Sequence, residues 1–255
     1  MHLFTYWETP KGSSKPGYIS VCEETITKHC SKHFRVRHLD PIKLRKWLPD
    51  ITPNLEKIRY NRDPAHTITA QSNYIRVALL NKYGGVWLDS DTLVLRDFEE
   101  VYNALHNLKK DFVYSPQWIP NKRNHSVGAC FMGAQKNGKV IGAYQKILDK
   151  LINKQSRFSW GDLGHKLLTP LVSHHASECY KIKEKCMYPI RISHAGLFFK
   201  EEKRMMSLID DNTLCFTLYN SIFPKKFKVL GRTQLLTGKT VLSKAFRHSL
   251  GIHVL

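Results

Sequence analysis

Two carboxylates one residue apart, Asp89 and Asp91, follow directly on the apolar run Val86-Trp87-Leu88. A charge cannot be buried unpaired without a large cost. A carboxylate pair at the end of a buried strand therefore needs either a cation or a turn that opens to water. On the first reading Asp89 and Asp91 hold a divalent cation of the oxygen-seeking kind, Mg2+ or Mn2+. Such an ion bridges diphosphate oxygens and stabilises the charge of a departing group. On the second reading Asp89-Ser90-Asp91 is an Asp-x-Asp turn that only terminates the strand. Position favours the first, because ligands of open parallel sheets gather beyond the carboxyl ends of the strands. Other polar clusters are less suggestive. His125 and the pair His174-His175 have no partner spacing that would make a metal site.

The elements that must position the pair are legible on both sides of it. Ser72 is a good N-cap, Ile75, Ala78, Leu79 and Lys82 follow helical spacing, and Gly84-Gly85 stop the helix after Tyr83. Val86-Trp87-Leu88 has no alternation, as expected of a strand buried on both faces, and Leu93-Val94-Leu95 resumes extended structure. Elsewhere, strands are expected at 3–7, 34–39, 112–114 and 129–133. Helices are expected at 19–29 and 138–152, with short helical turns between Pro41 and Pro53. This alternation argues for an α/β layer architecture with a mostly parallel sheet.

The chain has 255 residues, 42% hydrophobic and 24% charged, which is ordinary for a globular protein. Its net charge of +19 is not ordinary and points to an anionic partner: nucleic acid, an acidic membrane surface or a phosphate-bearing small molecule. No helix-turn-helix, RNA-recognition or zinc-finger pattern supports nucleic acid. The six cysteines contain no C-x-x-C pair and read as reduced thiols. The N-terminus lacks the features of a signal peptide, and no apolar run approaches the roughly 18 residues of a membrane span. A cytoplasmic protein is expected.

The run Ser72-Asn73-Tyr74-Ile75-Arg76 through Tyr83-Gly84-Gly85-Val86-Trp87-Leu88-Asp89-Ser90-Asp91 resembles the S-D-x-x-R…Y-G-G-x-Y-x-D-x-D element of the glycosyltransferase 32 superfamily. That group includes capsular polysaccharide synthesis proteins and α1,4-glycosyltransferases. Tyr6-Trp7-Glu8 through Pro16 and Cys22 resembles the opening of the capsular polysaccharide proteins. Trp160-Gly161-Asp162-Leu163-Gly164-His165-Lys166-Leu167-Leu168-Thr169 is similar to the W-G-x-x-G-P-x-L-L-T element of α1,4-galactosyltransferases. The resemblance implies a GT-A fold and transfer of a hexose from a nucleoside diphosphate sugar, uridine being the favoured base, to a saccharide or lipid-linked acceptor with retention.

It also implies roles. Asp91 binds the metal, and Asp89 contacts the ribose or donor sugar and assists at the metal. Asn73 and Arg76 share one helix face. Arg76 either clamps the diphosphate or fastens helix to sheet, and Trp7 either lies against the base or is core. Tyr83 and Ser90 complete the donor-binding set. Asp162 is the candidate for a catalytic or acceptor-side carboxylate. Asn220 and Ser221 offer further metal ligands, in a stretch where the family's His is replaced by Thr217; Asp211 or His194 are the substitutes. Asn73 and His165 also depart from the pattern, which leaves a noncatalytic nucleotide-sugar-binding relative as the alternative.

Residues 1–223 are expected to form the catalytic domain. Residues 224–255 are a basic segment with seven Lys or Arg and no acid. There Val241, Leu242, Ala245, Phe246 and Ser249 share one helical face. That face either packs on the domain or lies on an anionic membrane.

Overall fold

The strands and helices alternate through the chain, as the α/β class requires. The computed structural model describes residues 1–10, 12–61, 66–119, 124–201 and 209–253. They fall into two compact units: residues 1–8, 37–88 and 100–182 form the first, and 9–36, 89–99 and 183–255 the second.

The first unit is built on a six-stranded sheet in the order β2-β1-β4-β7-β6-β9. Its strands are β1 (His2–Tyr6), β2 (Arg35–Leu39), β4 (Gly85–Leu88), β6 (Phe112–Ile119), β7 (Asn124–Ala134) and β9 (Cys179–Lys181). β1 with β4 and β6 with β9 run parallel, whereas β7 is antiparallel to both β4 and β6. A short parallel pair, β3 (Arg59–Tyr60) and β8 (Arg157–Phe158), stands apart. The helices of this unit are α2 (Pro41–Trp47), α3 (Thr52–Glu56), α4 (Thr67–Tyr83), α5 (Glu99–His106), α6 (Lys139–Lys154) and α7 (His165–His174). α5 begins one residue before the unit's 100–182 stretch. Trp87, Phe4, Phe112, Tyr144, Leu79 and Leu148 are fully buried in one continuous core.

All four residues of β4 are buried, as the unalternated run predicts. The helix before it is longer than expected. α4 starts at Thr67, with His66 at the cap and no side-chain capping bond, so Ser72 is not an N-cap. Ile68 and Ala70 carry the helix one turn further back, and burial of Ala70 outweighs the preference of a serine for the helix end. Ser72 instead serves inside the helix, where its carbonyl and Oγ both accept from Arg76 at 3.1 Å. The stop is as read. Gly84 has φ 67° and Gly85 φ 103°, a region that L side chains enter only with strain. A Cβ on Gly85 would also collide with the carbonyl oxygen of His2, so this glycine lets β1 and β4 pair at Leu3↔Val86 and Phe4↔Trp87. β6 and β7 are longer than the runs at 112–114 and 129–133, with a register shift between Tyr114 and Pro116.

The second unit carries a two-stranded antiparallel ribbon, β5 (Thr92–Val94) with β10 (Cys215–Thr217), in register at Thr92↔Thr217. Its helices are α1 (Gly17–Cys30), α8 (Glu184–Met187), α9 (Lys225–Lys228), α10 (Arg232–Thr237) and α11 (Val241–Leu250). α1 packs on β5, α9, α10 and α11. Val241, Leu242, Ala245 and Phe246 have no exposed surface. Thr240 caps α11 by accepting from the Ser243 amide, and Lys28 Nζ reaches the Ser249 carbonyl at its far end. The apolar face of α11 is thus spent on this unit's own core. None of the six cysteines is in a disulfide, and among the described residues no helix is long and apolar enough to cross a membrane.

Candidate active site

The carboxylate pair sits where β4 ends. Asp89 and Asp91 are half-buried and Ser90 is buried. The Asp89 carbonyl accepts the Thr92 amide at 3.1 Å and so forms the turn into β5. In the second unit, Asp91 is stitched to the segment that follows β10. Its carbonyl accepts the Leu218 amide at 2.9 Å, and its Oδ2 accepts the Asn220 amide at 2.7 Å. β5–β10 pairing delivers this contact across 129 residues of chain. Tyr219, between the two donors, adopts φ 55° and ψ 67°, which turns the Asn220 amide toward the carboxylate.

Two side chains reach Asn220. The Tyr18 hydroxyl, on α1, donates to Asn220 Oδ1 at 2.5 Å, and its ring stacks on Phe223 at 3.9 Å. Lys228 Nζ donates to the Asn220 carbonyl at 2.9 Å. Burial, then the charge of Asp91, pushes the Tyr18 hydroxyl and the Cys22 thiol well above their usual ranges. Burial lowers the Lys228 ammonium, and Asp91 opposes that shift. Ser221 is exposed in the turn Asn220–Ile222. The other two substitutes lie elsewhere: Asp211 is 99% exposed and paired with Arg96 at 3.0 Å, and His194 Nδ1 is bonded to Ser193 Oγ. Thr217 is buried in the ribbon.

The carboxylate oxygens of Asp89 and Asp91 are hard ligands, the chemistry that Mg2+ and Mn2+ select. A second group of ligand atoms, from His33, Asp97 and Glu99, lies within 4.8 Å of one another in the same unit. That cluster is already partly spoken for: Lys32 Nζ is 3.5 Å from Asp97 Oδ2, and the Glu99 amide donates to Asp97 Oδ1. The spacing His33…Asp97-x-Glu99 gives no sequence signal for it.

The first unit holds the remaining candidates. Arg76 is only 5% exposed. Besides Ser72 it donates to the Ala129 carbonyl, and its guanidinium lies 5.1 Å over the Trp87 ring. These contacts fasten α4 to β7 and β4. Tyr83 donates to the Trp47 carbonyl at 2.6 Å and meets the Trp47 ring edge-on. Asn73 Nδ2 donates to the Thr69 carbonyl at 3.3 Å, and its Oδ1 faces Gly164 of the Trp160–Thr169 segment. In that segment Asp162 accepts from Lys166 Nζ and the Ser159 amide, both at 2.6 Å. Burial pushes its carboxyl up, but the bonds from Lys166 and Ser159 outweigh it and hold the group below the usual carboxylate range. Trp160 is 59% exposed. Trp7 is half-buried, and its indole N–H is shielded without an acceptor among the described residues.

The structure thus brings Asp91, Asn220, Tyr18 and Lys228 together in the second unit, and Asn73 to Gly164 in the first. Tyr18 and Lys228 were not legible as site residues: one lies 202 positions from its partner, the other in a run of lysines.

A family model described as capsular polysaccharide synthesis protein matches residues 2–216. No curated protein matches. Among solved structures, the glycosyltransferase GlyE of Streptococcus pneumoniae TIGR4 is similar at 13% identity with a TM-score of 0.52, over 98% of this chain and 60% of that one. Mouse xyloside xylosyltransferase 1 is 10% identical over 73% of this chain and 86% of that one, with a TM-score of 0.45. A glycosyltransferase involved in glycosylation of the major capsid of PBCV-1 is 10% identical over 98% and 100%, with a TM-score of 0.41.

Proposed function

The chain belongs to the capsular polysaccharide synthesis family and is a glycosyltransferase by family and fold; from this premise we propose that it moves a hexose from a nucleoside diphosphate sugar, UDP-linked, to a saccharide or lipid-linked acceptor with retention. The observation that carries this reading is the Asp91 carboxylate, which follows β4 and is held by the Asn220 amide, while the Leu218 amide holds the main-chain carbonyl of the same residue. Asp91 and Asp89 would hold Mn2+ or Mg2+, and a bound cation would supply charge stabilisation for the leaving diphosphate. Lys228, bonded to the Asn220 carbonyl, adds an ammonium group near the same carboxylate. Trp7 supports base recognition, because its indole N–H lacks an acceptor. Arg76 acts by holding α4 against β4 and β7, which sets where Asn73 and the Gly84-Gly85 turn stand.

In the transfer, the bond from the anomeric carbon to the diphosphate oxygen breaks and a bond to the acceptor hydroxyl oxygen forms. The hydroxyl proton passes to the departing diphosphate or to water. The rate gain rests on prepositioned charge and on holding acceptor beside donor. Asp162, ionised at neutral pH and half-buried two residues from the exposed Trp160, suits the acceptor side better than a proton donor's role. A screen of nucleotide sugars by thermal shift, with and without Mn2+, tests the reading. A stabilising UDP-sugar that needs Mn2+ is expected; no stabilisation by any nucleotide sugar would refute it.

A further inference from the structure

We infer that Asn220 is an N–H donor to the donor's phosphate oxygens, held in that orientation by Tyr18, and not a ligand to the metal. The inference rests on the nucleotide-sugar reading and specifies one contact within it.

Asn220 has four hydrogen-bonding groups. Its amide N–H is committed to Asp91 Oδ2 and its carbonyl to Lys228 Nζ and the Phe223 amide. Its side-chain Oδ1, the atom a metal would need, accepts the Tyr18 hydroxyl at 2.5 Å. That hydroxyl sits on a fully buried ring stacked on Phe223, and Oδ1 is its acceptor among the described residues. An amide held by its oxygen presents its nitrogen on the other side, because the two atoms share one plane. The Nδ2 group has no partner among the described residues, and Asn220 is half-buried, so the two N–H bonds remain available to a ligand. A carboxylate, an amide nitrogen and an ammonium then stand within one residue's reach, the arrangement a metal-bound diphosphate needs on its flank. Tyr18 is a positioning residue: it touches no ligand and acts only by fixing the amide.

The test measures two affinities separately in the full chain, by calorimetry: Mn2+ alone, and UDP or inorganic pyrophosphate at saturating Mn2+. A hydrogen bond to a charged group corresponds to about tenfold to a hundredfold in affinity. Asn220→Ala should weaken UDP and pyrophosphate by at least about tenfold and leave Mn2+ affinity within about twofold. Asn220→Asp, which keeps the acceptor for Tyr18, should weaken both diphosphates further without weakening Mn2+. Tyr18→Phe keeps the stack on Phe223 and should weaken UDP several-fold, but add nothing in the Asn220→Ala background. Tenfold loss of Mn2+ affinity in Asn220→Ala, with UDP unchanged once Mn2+ is saturating, would make Asn220 a metal ligand and overturn the inference. Additive effects of the two substitutions would overturn the role of Tyr18. Wild-type protein that binds neither UDP nor pyrophosphate overturns the underlying reading itself, and the inference with it.

Discussion

Asp91→Asn separates the chemical role of this carboxylate from its structural one. The amide is isosteric and still offers an oxygen to the Asn220 N–H, so what is lost is charge. The folded state trades a charge-assisted bond for a neutral one, a loss of about 1 kcal/mol. Relief from holding a half-buried negative charge beside Tyr18 and Cys22 offsets part of it. For a chain of this size that amounts to a fall in melting temperature of about 2–4 °C at most. The functional loss is far larger. One unit charge against another at about 4 Å is worth about 4 kcal/mol at an effective dielectric of about 20. At about 1.4 kcal/mol per factor of ten, loss of Mn2+-dependent turnover near a thousandfold follows. The assay is Mn2+-dependent release of UDP from UDP-sugars, paired with a thermal melt. Retention of more than a tenth of the activity would refute the assignment of Asp91. A melting temperature more than 10 °C lower would show that the carboxylate is structural.

Other consequences can be checked directly. Gly85→Ala places a Cβ against the His2 carbonyl at φ 103°, so β1 must move from β4; a loss of about 2–4 kcal/mol is expected in urea unfolding. Phe246→Ala opens a cavity in the core of the second unit and should cost about 3–5 kcal/mol. In vesicle sedimentation the same variant should bind anionic lipid no more weakly than the wild type while folded, because that face is not on the surface. Asp162→Ala should lower stability at neutral pH. Since the folded pKa lies below the ordinary value of about 3.9, that contribution is present above this range and disappears as pH falls through the lowered folded pKa. Burial, with Asp111 and Glu178, pushes the half-exposed Cys179 thiol up to about 11. Its alkylation, followed by mass spectrometry, should rise about tenfold per pH unit from pH 8 to 10.

What the sequence made legible is what is local. Gly84-Gly85, Val86-Trp87-Leu88 and Asp89-Ser90-Asp91 announce a stop, a buried strand and a polar turn within eight residues, and each is found as read. The N-terminus of α4 was misjudged because Ser72 mimics a cap, while the burial that extends the helix depends on distant partners. β7 extends beyond the legible run because Asn124, His125 and Ser126 are polar and Gly128 is small, and only pairing with β6 shows that it continues. Arg76 illustrates a third limit. Its residue type suits a phosphate equally well, and nothing local shows that it donates to the carbonyls of Ser72 and Ala129. Tyr18 on Asn220 is beyond any local pattern, since no spacing links residues 202 positions apart.

The second unit is threaded from three separated stretches, 9–36, 89–99 and 183–255. Its assembly therefore has an order in time. While the chain is being made, α1 and β5 emerge long before β10, α10 and α11 exist to cover them, and long-range pairings of this kind form slowly. The carbonyl and carboxylate of Asp91 acquire their Leu218 and Asn220 donors only when the segment after β10 has left the ribosome. A nascent chain arrested near residue 182 would display an unpaired edge on β5 and the bare apolar face of α1, a natural substrate for chaperones. Competence to hold a diphosphate would then arise only once the segment that follows β10 has been made.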